Sequence, residues 1–472
     1  MALLTRAIVI ASTLAAVALG LWPLQAQPAL AAALAATFVA VALLARFLPA
    51  AATALVLAFG YITYGVTRLV AGPQVAGMPF FLAAFAGLAL GLASWTRWTA
   101  RAPWKIPLAW WGTTVALTWP YVAARELQFS LGPSLAAGPV VTTAALQMSL
   151  ALWMDRLLAE PDHTRTFRDD GLPLRSWHLP LMLSALVTAG AALYQRGIDL
   201  AWLSGEPWYS LGRATGLMGD ANPMGVATAL WAPITVAVFA TSIISTFFGV
   251  ALSLPLWIAA WVSGARTTLL LFGAGAAALL LLMTHALGWS RRTVLMAGAG
   301  SVVLLLGAVL LLAQRADPST PLGRLIGALP KTSIGDVVYE LFWNRDGYGT
   351  AAAAAIGEHP LMGVGIGRFT GLSTSYAQRA LGRAIPADNA QNLWRHTLAE
   401  QGLIGLLPIL WLTGLTVMAV FAGRVAGVDL VLRVMVCGLG CGLIVGYPVQ
   451  DPAIAVTLAT LVAAVARQRP QR

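Results

Sequence analysis

The sequence predicts an all-α polytopic membrane protein of about 12–14 transmembrane helices with one long outward loop. Three observations lead there. Of the 472 residues 59% are hydrophobic and only 10% charged, and the mean hydropathy is +0.78, a balance foreign to a soluble globular domain of this size. Apolar runs of about 18 residues or more succeed one another along most of the chain. One long stretch, 314–397, departs from that pattern: it is comparatively hydrophilic and rich in arginine.

Taken in order, spans are expected near 7–22, 29–47, 50–67, 78–95, 106–124, 134–154 and 178–195. A second set is expected near 224–241, 246–263, 267–287, 293–313, 398–422, 430–447 and 453–466. Residues 1–177 then form a first block of helices, and 178–313 a second block carrying outward arginine motifs. The loop covers 314–397, and 398–472 closes a single integral-membrane unit. The first 28 residues imitate a secretory signal, with Arg6, an apolar core and Gln25-Ala26-Gln27, but Pro28 follows the apparent cleavage point. An uncleaved first span is the better reading.

The net charge of +11 comes almost wholly from arginine, Lys105 and Lys331 being the only lysines. Nucleic acid is set aside as a partner because topology accounts for most of this excess. Arg97, Arg101 and Lys105 share one loop, Arg156, Arg165, Arg168 and Arg175 another, and Arg291 and Arg292 a third, all on the side of the termini. Arg68, Arg125, Arg196, Arg213 and Arg266 lie opposite. The positive-inside rule therefore puts both termini in the cytoplasm and the long loop outside, in the periplasm of a Gram-negative cell. Cys437 and Cys441 sit one helical turn apart in an apolar run with no second ligand pair nearby, which reads as packing. No metal site or cofactor is expected.

Four segments carry candidate chemistry. In 212–225, Asn222-Pro223 is a good helix start, with Asn222 as cap, and Arg213 before it is a natural phosphate ligand. In 263–268, Arg266 sits among small residues between two spans, where it either snorkels or binds an anion. In the third, Arg345 precedes an alanine-rich helical stretch and then 358–369, with His359, Arg368 and three glycines. That run superficially resembles a nucleotide loop but lacks the preceding strand, and a tight turn is the sensible account. The fourth, 388–405, holds Asp388, Gln391, Arg395, His396 and Glu400. The i,i+4 spacing sets His396 and Glu400 on one helix face, as a buried structural pair or an activated imidazole.

In this order the four segments resemble the O-antigen ligase and O-antigen polymerase superfamily, membrane glycosyltransferases of the GT-C type. The resemblance covers about residues 195–455: the turn from Arg213 to Gly225, Ser263-x-x-Arg266, His359 to Phe369, and Gln391 to Gly405. It implies an undecaprenyl-diphosphate-linked glycan donor and an acceptor that is either lipid A-core or another glycan. It further implies metal-independent, inverting transfer at the outer face of the bacterial inner membrane. By position Arg213 and Arg266 would hold the diphosphate, with Arg345 a third ligand. Gln391 departs from the family, which has histidine there, and glutamine takes no proton from a hydroxyl. Three accounts stay open. His396, supported by Glu400, is the base and is the one favoured; or Asp388, His359 or Asp451 is; or Gln391 merely orients the acceptor. Outer aromatics Trp202, Trp208, Tyr209, Trp343, Tyr348 and Tyr376 are candidates for glycan contact or for an interfacial belt. The rival reading is a transporter or flippase of lipid-linked oligosaccharides, which inverted repeats and mid-membrane charges would mark. The sequence displays no repeat.

Overall fold

The computed structural model describes residues 2–21, 27–71, 78–93, 98–100, 103–129, 137–159, 177–240, 242–287, 296, 317–327, 333–422 and 427–467. Among these the chain is all-helical, with a single isolated bridge between Ala100 and Ala159. The helices before the long loop are α1 (Ala2–Leu21), α2 (Pro28–Phe47), α3 (Pro49–Phe59), α4 (Thr63–Ala71), α5 (Met78–Leu92) and α6 (Lys105–Phe129). They continue as α7 (Ala137–Leu157), α8 (His178–Gly197), α9 (Ala221–Phe239), α10 (Ile243–Val262) and α11 (Thr267–Leu287). The loop holds α12 (Pro321–Gly327), α13 (Ile334–Val338), α14 (Tyr348–Glu358) and α15 (Phe369–Leu381), and the chain closes with α16 (Leu393–Phe421), α17 (Val428–Val445) and α18 (Pro452–Arg467).

Every expected span inside the described residues falls on a helix; the one near 293–313 lies outside them but for residue 296, as do Arg97, Arg101, Arg165, Arg168, Arg175, Arg291, Arg292, Arg315 and Lys331. Among the described residues, six helices are long and apolar enough to cross a membrane, or seven if a bent pair counts as one. The bent pair is the expected span near 50–67, which breaks by 77° between α3 and α4. The break frees the Tyr61 amide, which donates to Ser184 Oγ at 3.0 Å. The Tyr61 hydroxyl accepts from the Trp231 indole at 2.9 Å and bonds Thr457. These partners, from three other helices, satisfy polar atoms that an apolar surrounding would otherwise leave unmatched. α4 then lies against the loop that leads into α9: the Gly65 amide donates to the Leu217 carbonyl at 2.9 Å.

α9 is sheathed by protein, with Ala221 and every residue from Pro223 to Ala237 buried, and packs on α8, α10 and α11. Its first turn therefore opens on the centre of the bundle. Its cap corrects the sequence reading. Asp220, not Asn222, accepts the Asn222 amide at 2.7 Å, because Asn222 lies inside the helix and uses its side chain elsewhere.

The long loop has its own small core of Tyr348, Ala351, Ala352, Ala355, Phe369, Tyr376, Ile385 and Ala390. The alanine run is thus the face by which α14 packs closely on α15 and α16. Tyr348 and Tyr376 are core residues rather than surface aromatics, which removes them as glycan contacts. At the far end of the bundle, Arg6 and Asp155 form a buried ion pair. Arg433 donates to the Val420 carbonyl at 2.8 Å, closing the end of α16.

Candidate functional site

The sharp turn between α10 and α11 organises the first half of the site. Gly264 takes φ +64, and a Cβ there would stand 2.2 Å from the Ser319 carbonyl oxygen. This exposes two successive carbonyls to two arginines. Arg213 Nε donates to Ser263 O at 2.7 Å, and Arg324 Nη1 donates to Gly264 O at 3.1 Å. Arg213 is 1% exposed; its Nη2 donates to Asn222 Oδ1 at 2.7 Å, and its guanidinium lies 4.7 Å from the Trp208 ring centre. Arg266, two residues beyond the turn, faces Asp346 at 3.5 Å.

The second half is built on backbone that L-residues rarely adopt. Arg345 and Asp346 have φ of +45 and +65, Gly347 has +106, and Gln391 has +54. Strained non-glycine residues cost about 1–3 kcal/mol each and collect where geometry serves a purpose. Here the two strained segments meet: Arg345 Nη2 donates to Gln391 Oε1 at 3.0 Å. The Gln391 amide nitrogen in turn donates to Asp388 Oδ2 at 2.7 Å. Asn389 joins Asp388 Oδ1, at 2.9 Å, to Gln450 Oε1, at 2.6 Å.

Electrostatics binds the halves into one site. Burial, with Arg324 nearby, brings the Arg213 guanidinium down to about 9. Burial, with Arg266 nearby, brings Arg345 down to about 10 and also lowers Arg324. Four arginines thus repel one another in a poorly solvated place, and among the described residues only Arg266 has a carboxylate within ion-pair distance. Arg345, 9% exposed, keeps a buried Nε with no hydrogen-bond partner. Across from them stand three carboxylates. Burial raises Asp388, takes Asp220 up to about 6 with Asp388 adding to it, and takes Asp451 up to about 7 with Asp220 adding to it. Asp451 also caps α18 through the Ala453 and Ile454 amides at 2.8 and 3.3 Å. No group of three metal-ligating side chains occurs among the described residues.

His396 and Glu400 make the expected pair, Nε2 to Oε1 at 3.4 Å. Their surroundings give it a supporting place. The Ala390 amide points at His396 Nδ1 at 3.3 Å. A backbone N–H only donates, so the neutral ring accepts there and carries its proton on Nε2, toward Glu400. The ring is 5% exposed and lies 4.3 Å from Tyr447 and 5.8 Å from Phe369. Glu400 accepts the Gly367 and Phe369 amides at 2.9 and 3.2 Å. The pair therefore fixes the Ala390-Gln391 loop and the glycine turn from behind.

The remaining sequence candidates lie around this centre. Arg395 donates to the Ala390 and Trp343 carbonyls, clamping the two strained segments together. Arg368 donates to Val364 O at 3.1 Å, within the glycine turn. His359 is exposed at the end of α14. Arg324 and Asp220 were not singled out from the sequence as site residues. Arg324 sits in a seven-residue helix with no motif around it, while Asp220 was visible only as part of a helix start.

A cavity of about 540 Å³ runs from Gln450, Thr370 and His396 down between α6, α7, α16, α17 and α18. Its walls are mostly apolar, as at Leu146, Leu412 and Leu458, and none of the four arginines lines it. No protein-family model and no curated protein matches this chain.

Proposed function

We propose that the protein is a membrane glycosyltransferase that moves a glycan from a polyprenyl diphosphate carrier, of the undecaprenyl type, to an acceptor hydroxyl. The observation that carries this reading is the cluster of Arg213 and Arg345, both buried, with the half-buried Arg266 and Arg324: mutually repelling, and short of carboxylate partners. Such a cluster needs an anion, and bidentate guanidinium groups suit phosphate oxygens. The adjoining apolar cavity supports a ligand with a hydrocarbon chain. The resemblance to the O-antigen ligase and polymerase superfamily names the chemistry, the succession of apolar runs supports about 12–14 spans, and the positive-inside bias supports cytoplasmic termini and a site on the outer face.

In the reaction the acceptor oxygen forms a bond to the donor's anomeric carbon on the face opposite the diphosphate. The bond from that carbon to the diphosphate oxygen breaks, and its electron pair leaves with the carrier diphosphate. The arginines stabilise the charge that develops there. The acceptor proton goes to Asp388, with Gln391 holding the Asp388 carboxylate and Arg345 in register. His396 acts through the loop it supports and is a positioning residue.

Asp388→Asn should lower the transfer rate by about 10²–10⁴-fold. The working form is the ionised carboxylate, and burial raises its pKa, so wild-type activity should fall with falling pH at a value above the usual aspartate range of about 4. That acid limb should vanish in Asp388→Asn. His396→Ala should instead lower thermal stability and keep the limb. A limb lost in His396→Ala and kept in Asp388→Asn returns the base to His396.

A strain lacking the gene, and with no second copy, tests the function itself. Lipid cores without long chains, together with accumulated carrier-linked polymer, identify a ligase. Cores bearing single repeats, or a missing secreted polymer, identify a polymerase. Unchanged glycans sink the transferase reading.

A further inference from the structure

We infer that the segment 338–343 is an interfacial anchor that seats the outer loop on the lipid leaflet. Val338, Tyr339, Phe342 and Trp343 are 51%, 50%, 49% and 47% exposed. Their i, i+1, i+4, i+5 spacing sets them on one side of the wide π-type turn that follows α13. The polar side of that turn points inward. Glu340 accepts the Asp346 amide at 2.7 Å and the Asn344 side-chain amide at 2.9 Å.

What covers the apolar side follows from where it sits. The turn packs against α17. Asn392 ties the same region to the last turn of α17 by donating to Ile444 O at 2.8 Å, and Ile444 itself is 41% exposed. α17 is one of the helices long and apolar enough to cross a membrane. The four side chains thus continue its outward surface at the level where the span ends. That level is the headgroup region, where tyrosine and tryptophan sit best, and an aromatic face left in water would be an aggregation liability. Asp336, exposed just before the turn, belongs to the aqueous side. The anchor ends at Trp343, whose carbonyl takes Arg395 and whose ring faces that guanidinium at 5.4 Å. Membrane seating is therefore joined rigidly to the strained Arg345 turn. The inference stands on the fold and is independent of the transferase reading.

The test is nitroxide accessibility in lipid nanodiscs, on the full chain with Cys437→Ala and Cys441→Ala as background and Asp336→Cys, Tyr339→Cys or Phe342→Cys as label sites. Labels at 339 and 342 should be relaxed more by oxygen than by a water-soluble nickel chelate, and the label at 336 the reverse. Nickel access at 339 and 342 equal to that at 336 overturns the anchor. Protection of 339 and 342 from both reagents also overturns it, because a protein surface would then cover the face.

Discussion

Arg345→Ala should lower the rate of the proposed glycan transfer by at least about 100-fold while leaving the protein as stable as wild type or more so. The first half follows from position. Arg345 is 9% exposed, reaches Gln391 at 3.0 Å, and offers a buried Nε that no protein atom satisfies. It is thus the guanidinium best prepared to meet a ligand oxygen, and loss of one such donor typically costs about 10²–10³ in rate. The second half follows from repulsion. Burial and Arg266 make its charged form unfavourable, so its removal relieves the folded state. Alanine inherits the same left-handed backbone, so the strain does not change. Inorganic pyrophosphate should raise the melting temperature of wild type and have far less effect on the variant; a ligand at 100 times its Kd contributes about 2.7 kcal/mol. A variant that melts early with or without pyrophosphate would show instead that Arg345 is a structural residue.

How much of this was legible in the sequence depends on how local each signal is. Helices were readable because hydropathy accumulates over about 18 residues, but the same averaging concealed the 77° break at Gly60–Ile62. Arg213 and Arg266 are readable as charges at the ends of apolar segments, and Arg345 as a loop arginine ahead of an alanine-rich helix. Arg324 was not, since only the close approach of its helix to the Gly264 carbonyl gives it a role. The sequence points to Asn222 as the cap before α9, but the structure gives that place to Asp220. The choice is made by Arg213, which claims Asn222 through a contact nine residues back in sequence. Gln391 was recognised as the odd residue. Its bridging of Arg345 to Asp388 depends on a left-handed backbone that no side-chain pattern announces.

Gly402→Ala should be the most destabilising single substitution in the half of the protein that carries the long loop. At Gly402 α16 breaks, with φ +61 and ψ −164, a region open only to glycine. The break lets the 360–365 segment splice into the helix. The Val364 and Gly365 amides donate to Ala399 O and Glu400 O at 2.8 and 2.9 Å, and the Leu403 and Ile404 amides donate to Pro360 O and Leu361 O at 3.0 and 3.3 Å. Two motifs that the sequence presents separately are therefore one backbone unit. The glycines at 363, 365 and 367, with φ of +68, +109 and +72, let the turn lie this close. A Cβ on residue 402 would stand 2.2 Å from the Leu361 carbonyl carbon and oxygen. Backbone cannot yield there as a side chain would, so the substitution separates the splice. Each hydrogen bond contributes about 1 kcal/mol net in water, and its groups cost several if left unmatched in lipid. The expected loss exceeds about 4 kcal/mol, measured as thermal unfolding in detergent. Gly414→Ala is the matched control: same helix, nothing within 4 Å of the added carbon, and a change expected to be neutral or favourable. If both variants melt with wild type, the splice does not hold α16 and the long loop together. If only Gly402→Ala fails, the supports behind Gln391 fail with it, because Glu400 and His396 stand on the turn of helix just before the break.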